Sequence, residues 1–277
     1  MVNGPLKIGG LELFTIENYV MVKDLEEAYL LNQKRSNAIL GGILWMKMGN
    51  KKIQNAIDLS ALGFDMIEET EDAFEIGCMV TERDLELNKA LDQYFDGAVA
   101  KAIKHIVGVQ FRNCATVGGS IYSRFGFSDI LTCFLALDTY VELYKGGTIP
   151  LSEFVDKALD NDILVKIIIK KDVRKVSYQT HRRTATDFPV IACAISNIED
   201  NWHVVLGARP SRAKLLSDTK HILSKNPTEK EVADFITYIG EQTEFGSNMR
   251  GSKEFRRHLA GVLIKRGIAE ISDRKGR

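Results

Sequence analysis

The sequence carries no excess of charge of either sign: lysine plus arginine and aspartate plus glutamate each number 37. That balance argues against nucleic-acid binding as the main role of the chain, because phosphate backbones are engaged by concentrated positive charge. Long hydrophobic runs are missing too. The longest apolar stretches, around Ile39 to Met46 and Ile130 to Leu137, fall well short of the roughly 20 residues of a membrane-spanning helix. No charged segment followed by an apolar one opens the chain, so no secretory signal is read there. The four cysteines, Cys78, Cys114, Cys133 and Cys193, form no C-x-x-C pair and are flanked by apolar or small residues. They read as buried reduced thiols rather than as a metal or iron–sulfur site. These absences leave the expectation of a soluble cytoplasmic protein, and 277 residues allow one large domain or two moderate ones.

Catalytic and nucleotide signatures are also absent. No G-x-G-x-x-G follows a strand and no G-x-x-x-x-G-K-[ST] occurs, which closes the usual Rossmann and P-loop routes to a nucleotide. The histidines His105, His181, His203, His221 and His258 are scattered, with no H-E-x-x-H, no His/Cys ligand cluster and no G-x-S-x-G elbow. Two of the chain's paired glycines are the most informative, those in Leu40-Gly41-Gly42-Ile43-Leu44-Trp45 and in Thr116-Val117-Gly118-Gly119-Ser120. Each reads as the place where an apolar strand-like run gives way to a loop. Glycine there allows positive φ and lets a ligand approach the peptide N–H groups without meeting a Cβ. Two such turns can hold a diphosphate by amide dipoles alone, which would suit a dinucleotide. Either pair alone is equally well an ordinary tight turn.

Hydrophobic periodicity predicts a strand over Leu11 to Ile16 and a helix over Asp24 to Gln33 capped by Asp24. Strands follow at Asn37 to Leu40, Ile53 to Leu59, Asp65 to Ile67 and Ala73 to Met79. Thr81 caps a helix over Glu82 to Leu91, and a second helix covers Ala98 to Val107. After the second glycine pair, Ser128-Asp129 opens an apolar helix over Ile130 to Leu137. Thr139 to Tyr144 is a strand, Ser152 starts a short helix, and the β-branched Ile163 to Ile169 is a buried strand. From about Val173 the pattern becomes a meander of Val173 to His181, Pro189 to Ile198 and Trp202 to Gly207, then helices at Thr228 to Tyr238 and Ser252 to Lys265. The expected domains are 1–170, with a subdivision near 55, and 171–277.

Three polar groups stand out. Asp129 is read either as a helix N-cap or as an acceptor for a sugar hydroxyl. Arg182-Arg183 before Thr186-Asp187-Phe188-Pro189 is either a solvated basic turn or a surface facing an anionic cofactor or acidic partner. Arg250-Gly251-Ser252-Lys253-Glu254-Phe255-Arg256-Arg257 reads as a capped basic helix start.

The order of these pieces resembles a known family. Gly41-Gly42 after a strand, then Gln110-Phe111-Arg112-Asn113-Cys114-Ala115-Thr116-Val117-Gly118-Gly119-Ser120-Ile121, then Asp129 before Leu135-Ala136-Leu137-Asp138, is similar to the FAD-binding (medium) subunit of molybdenum hydroxylases. This is the flavoprotein of the xanthine dehydrogenase and carbon monoxide dehydrogenase family. Arg182-Arg183 with Asp187-Phe188-Pro189, Gly207-Ala208, and Arg250 to Arg256 resemble the family's C-terminal flavoprotein domain. The resemblance implies an α+β fold: a two-subdomain FAD-binding fold of the vanillyl-alcohol-oxidase type, then an α+β domain with a three-stranded antiparallel sheet. It implies non-covalent FAD on this chain, with iron–sulfur clusters on a small partner subunit and molybdopterin on a large one. FAD would pass electrons on to an acceptor such as NAD. No catalytic acid or base and no metal ligand would be supplied by this chain, because the flavin carries the redox chemistry.

Carried across, the resemblance places Leu40, Gly41, Gly42, Ile43, Leu44 and Trp45 on the pyrophosphate. Thr116, Val117, Gly118, Gly119, Ser120 and Ser123 would supply a second set of amides and hydroxyls. Asp129 would bind a flavin-side or ribityl hydroxyl, Leu164 would lie beside isoalloxazine or adenine, and Ile106 would add an apolar contact. The chain departs from the family where Ile43 and Leu44 replace a hydroxyl and a polar residue, and where Ser120 replaces asparagine. Arg124-Phe125-Gly126-Phe127 stands for a Ser-Pro stretch, and Gln179 for a lysine near the flavin. Arg124 then reads as facing the diphosphate or as a surface arginine. These departures leave two alternatives open, an assembly subunit with weakened or lost FAD binding and a stand-alone flavin reductase.

Overall fold

The computed structural model describes residues 7–8, 11–12, 14–158 and 160–274. A two-residue hairpin, β1 (Lys7–Ile8) against β2 (Leu11–Glu12), precedes a parallel three-stranded sheet. Its strands are β3 (Thr15–Met21), β4 (Ala38–Leu40) and β5 (Lys52–Asp58), in the order β3-β5-β4. Parallel pairing needs crossovers. Helix α1 (Leu25–Asn32) makes the first, opened by Asp24, whose carboxylate accepts the Glu27 amide at 2.8 Å. The second crossover is the segment 41–51, which carries the first glycine pair. The strand expected over Leu11 to Ile16 is found as β2 and the start of β3; Leu13 lies outside the described residues. The chain leaves this sheet after Asp58, at the end of β5.

A five-stranded antiparallel sheet follows, in the order β6 (Ile67–Glu69), β7 (Ala73–Gly77), β10 (Leu164–Lys170), β8 (Thr139–Leu143), β9 (Gly147–Pro150). Its central strand β10 buries Ile167 and Ile169 completely, as its β-branched run requires. Between β7 and β8 the chain makes six short helices: α2 (Glu82–Leu87), α3 (Lys89–Tyr94), α4 (Ala98–Ile103), α5 (Val109–Arg112), α6 (Val117–Tyr122) and α7 (Asp129–Phe134). The single helix expected over Glu82 to Leu91 is broken at Asn88, whose side chain instead caps α3 through the Leu91 amide at 2.9 Å. The expected helix to Val107 ends at Ile103, and Val107 itself takes φ 48°. Helix α8 (Leu151–Asp156) links β9 to β10.

The C-terminal sheet has four strands, not the expected three: β11 (Lys175–His181), β12 (Ile191–Ile198), β13 (Asn201–Gly207) and β14 (Lys214–Ser217), each antiparallel to the next. The added β14 is a short, partly exposed edge whose Lys214 and Ser217 give no strand-like pattern. Helices α9 (Glu229–Glu241) and α10 (Lys253–Arg274) complete the chain. Alternation along β12 divides two cores. Ile191, Cys193 and Ile195 pack with Phe235, Leu263 and Ile264 of α9 and α10. Ala192 and Ala194 join the core of the five-stranded unit with Tyr178 and Phe134. Small residues permit a close fit there; a Cβ at Gly207 would fall 2.1 Å from Thr132 Oγ1 on α7. The C-terminal sheet thereby clamps α7 in place.

Arg256, expected on a basic helix surface, is 1% exposed. It donates to the carbonyls of Val190 and Gly246 at 2.8 Å each, to the Gly251 carbonyl, and to Asn248 Oδ1. The guanidinium therefore pins the 246–251 loop to α10. Cys78, Cys133 and Cys193 are buried as expected, and burial pushes the Cys78 thiol up to about 12. Cys114 is exposed, contrary to expectation, because it sits on a turn facing outward.

Candidate functional site

The two glycine pairs, more than seventy positions apart in sequence, lie against one another. A Cβ on Gly42 would fall 1.9 Å from the Cys114 carbonyl oxygen, and one on Gly41 would fall 2.7 Å from Thr116 Oγ1. Gly118 approaches Cys78 in the same way, with 2.5 Å to its carbonyl oxygen. Close backbone contact, not positive φ, is the reason for glycine here. Positive φ falls instead on residues just after each pair, Ile43 at 50° and Arg124 at 49°. The second pair is not a loop either. Gly118 and Gly119 occupy the first turn of α6, whose N-cap Thr116 accepts the Gly119 amide at 3.1 Å.

The amides divide sharply between the two segments. Val117 N–H donates to Val80 O and Gly118 N–H to Cys78 O, both at 2.9 Å. Gly119 N–H goes to Thr116 Oγ1 and Ser120 N–H to Thr116 O, both at 3.1 Å. The second segment is thus committed to the fold. In the first segment, the amides of Gly41, Gly42, Ile43, Leu44 and Trp45 donate to no other described residue. A row of unengaged N–H groups at the head of a crossover is a natural acceptor site for anionic oxygens.

These segments form part of the wall of a cavity of about 700 Å³ that is also lined by Ala38–Leu40 of β4, Leu164 of β10 and the 182–189 loop. That volume is in the range of cofactor sites, roughly 300–1,000 Å³. Leu40 to Trp45, Ile106, Thr116, Gly118, Gly119, Ser120, Ser123, Asp129 and Leu164 all line it. Val117 and Gln179 do not. Val117 is a fully buried core side chain. Gln179 points into the far side of β11, donating to Ser177 Oγ at 3.1 Å and to Glu270 of α10. Arg124 is neither a surface residue nor a cavity residue. It is 4% exposed, with its guanidinium 3.9 Å from the Phe154 ring centroid.

Asp129 is fully enclosed at the cavity floor. The N-cap of α7 is Ser128, which accepts the Leu131 amide at 3.1 Å, so Asp129 is free for another task. Its Oδ1 accepts from Arg182 at 2.6 Å and from the Tyr178 hydroxyl. Burial pushes its carboxyl up from the ordinary range; Arg182 and the Tyr178 bond oppose that. Arg182 also donates to the Asp187 carbonyl at 2.5 Å, so this arginine, read either as part of a solvated turn or as facing an anionic cofactor or acidic partner, sits in a buried ion pair with Asp129 and holds the 182–189 loop. Arg112, part of the R-N-x-A-T-V-G-G string, is likewise internal, bonded to Glu86 at 2.8 Å and to Ile106 O at 3.0 Å.

Two features of the site escaped the sequence reading. The first is an aromatic cluster at the rim. Trp45 lies 6.0, 5.5 and 5.7 Å from Phe125, Phe127 and Phe188, and Phe125 stacks on Phe127 at 5.0 Å. Arg250 covers Phe188 at 4.8 Å. The R-F-G-F departure supplies half of this cluster. The second is Glu82, 2% exposed at the start of α2, which reads in sequence only as an acidic first-turn residue. Lys34, Arg35 and Lys51 also line the cavity and bring positive charge to it.

A parallel three-stranded unit, an antiparallel five-stranded unit and the 182–189 loop of the helix-backed meander thus face one cavity. A family model described as the FAD binding domain in molybdopterin dehydrogenase matches residues 14–171, and one described as the CO dehydrogenase flavoprotein C-terminal domain matches residues 176–271. The chain belongs to this family of FAD-binding subunits. It is 23% identical to the nicotine 6-hydroxylase medium subunit of Paenarthrobacter nicotinovorans, over 92% of this chain and 97% of that one. It is 29% identical to the uncharacterized protein YgfM of Escherichia coli K12 over 78% of each chain. Carbon monoxide dehydrogenase from Hydrogenophaga pseudoflava, in a form lacking the Mo-pyranopterin moiety, shares the fold: the TM-score is 0.84 at 21% identity, covering 94% of this chain and 98% of that chain. Among the described residues no helix is long and apolar enough to cross a membrane.

Proposed function

We propose that this chain holds FAD in the cavity between its sheets and relays electrons within a molybdenum hydroxylase. Iron–sulfur clusters on a small subunit would deliver them, from molybdopterin on a large subunit, and an acceptor such as NAD would receive them. The observation that carries the reading is the row of unengaged amides from Gly41 to Trp45 at the wall of a dinucleotide-sized cavity. When bound, FAD supplies the redox chemistry, accepting and releasing electrons. The residues present fit it. The Gly41–Trp45 amides would take the diphosphate, with Lys34, Arg35 and Lys51 adding favourable charge. Thr116, Ser120 and Ser123 offer hydroxyls rather than amides, and Asp129, oriented by Tyr178 and Arg182, would accept from a hydroxyl of the cofactor. Leu164, Ile106 and the Trp45–Phe127 cluster would cover its apolar rings and exclude water.

A second reading, an assembly subunit that binds no flavin, draws on the engaged amides of Val117 to Ser120. Isolation of the native protein separates the two. The flavoprotein reading expects co-purifying small and large subunits and a flavin spectrum that bleaches on adding NADH if NAD is the acceptor. A colourless complex that takes up no FAD supports the assembly role, and absence of a large subunit contradicts the electron-relay reading.

A further inference from the structure

Among the described residues that line the cavity, two buried polar atoms make no hydrogen bond: Arg182 Nε, whose guanidinium is already paired with Asp129, and Glu82 Oε2. Glu82 lines the cavity and is 2% exposed. Its Oε1 accepts from the Ser120 hydroxyl at 2.6 Å, while Oε2 is buried and makes no hydrogen bond. Among the described residues no cation forms an ion pair with it: Arg112 on α5 is committed to Glu86, and Arg182 to Asp129. A buried carboxylate without a cation is expensive, and a carboxylic acid with no acceptor for its proton is less so but still unsatisfied. A ligand atom that accepts a hydrogen bond resolves both problems.

We infer that Glu82 is a cofactor-binding residue, donating from its Oε2 carboxyl hydrogen to an acceptor atom of the bound flavin dinucleotide; this rests on the flavin reading above. Ser120 orients the acid by holding its other oxygen. The surroundings favour the protonated form. Burial, and then the charge of Asp129 on α7, push the Glu82 carboxyl up to about 7, against the Ser120 bond and the charge of Arg112. Burial, and then the charges of Lys104, Arg182 and Arg112, push His105, after α4, down from the ordinary imidazole range, against the charge of Asp129. Below about pH 7 the proton is present and available to the ligand. Above it the site presents a carboxylate with nothing to donate, facing an anionic dinucleotide.

Affinity for FAD therefore falls as pH rises through the Glu82 titration, by up to about tenfold per pH unit. The test uses the full chain stripped of flavin, titrated with FAD from about pH 6 to about pH 8.5, alongside Glu82→Gln and Glu82→Leu. The wild type should weaken above about pH 7. Glu82→Gln, which keeps an N–H donor at every pH, should match the wild type at low pH and stay flat. Glu82→Leu should bind weakly throughout. A wild-type profile that is flat, or that rises with pH, overturns the role of Glu82 while leaving the flavin site standing. Failure of the wild type to bind FAD at any pH overturns both. The wild-type profile decides the matter even if a variant does not fold.

Discussion

Gly42→Ala should cost the protein its cofactor. An added methyl at this position would lie 1.9 Å from Cys114 O, 2.6 Å from Cys114 C and 2.9 Å from Ala115 Cα. All three are backbone atoms, so no side-chain rotation relieves the contact and the two glycine segments must separate. Overpacking of this kind costs about 1–3 kcal/mol. The separation displaces the unengaged Gly41–Trp45 amides from the opposite wall. If the full cost falls on the binding-competent arrangement, FAD affinity drops roughly 5- to 150-fold. Gly49→Ala is the matched control, since its nearest neighbour would be Met46 O at an ordinary 3.5 Å. The measurement is FAD affinity of the two variants by titration. Equal affinity for both would show that the contact between the segments does not shape the site.

Asp129→Ala should produce the largest loss of stability. It leaves Arg182 buried, with its side chain 7% exposed and its nearest anion gone. Removing one member of a buried ion pair costs about 3–5 kcal/mol, because the remaining charge is uncompensated. The Tyr178 hydroxyl loses its acceptor as well. Both partners lie on or just after β11, so the damage reaches the contact between the C-terminal sheet and α7. Arg182→Leu in the same background should recover part of the loss by removing the stranded charge. Urea unfolding of the three proteins checks this. A loss below about 1 kcal/mol for Asp129→Ala would show that the pair is solvated rather than buried.

Much of this architecture was legible from periodicity. The helix capped by Asp24, the buried Ile163 to Ile169 strand and the strands of the meander all follow from apolar spacing and caps, which act locally. The features that were not legible depend on contacts distant in sequence. Nothing near Gly42 indicates that Cys114 will lie against it, so its glycine reads as a turn rather than as a point of contact. Thr116 bonds within its own first turn, and that makes α6 a helix where paired glycines suggested a loop. Arg124 and Arg256 look solvated by composition, yet one is enclosed on Phe154 and the other bonds backbone carbonyls. Strand β14 exists only because β13 offers it an edge.

The candidate site shows the same division. Most of the residues singled out from the two glycine pairs and Asp129 line one cavity. Val117 and Gln179 do not: Val117 is packed in the core, and alternation along β11 turns Gln179 toward Glu270 and away from the cavity. Ile43 and Leu44 had counted against the first glycine loop, since they replace polar side chains. The backbone reverses that weighting: the first loop keeps its amides unengaged whatever its side chains are, while the better-matched second segment uses its own in the fold.

Equilibrium dialysis of the flavin-free chain against FAD tests the central claim most directly. The account predicts saturable uptake of one FAD per chain, competed by ADP through the shared diphosphate. No uptake, or uptake that ADP leaves unchanged, would contradict a diphosphate seat on the Gly41–Trp45 amides.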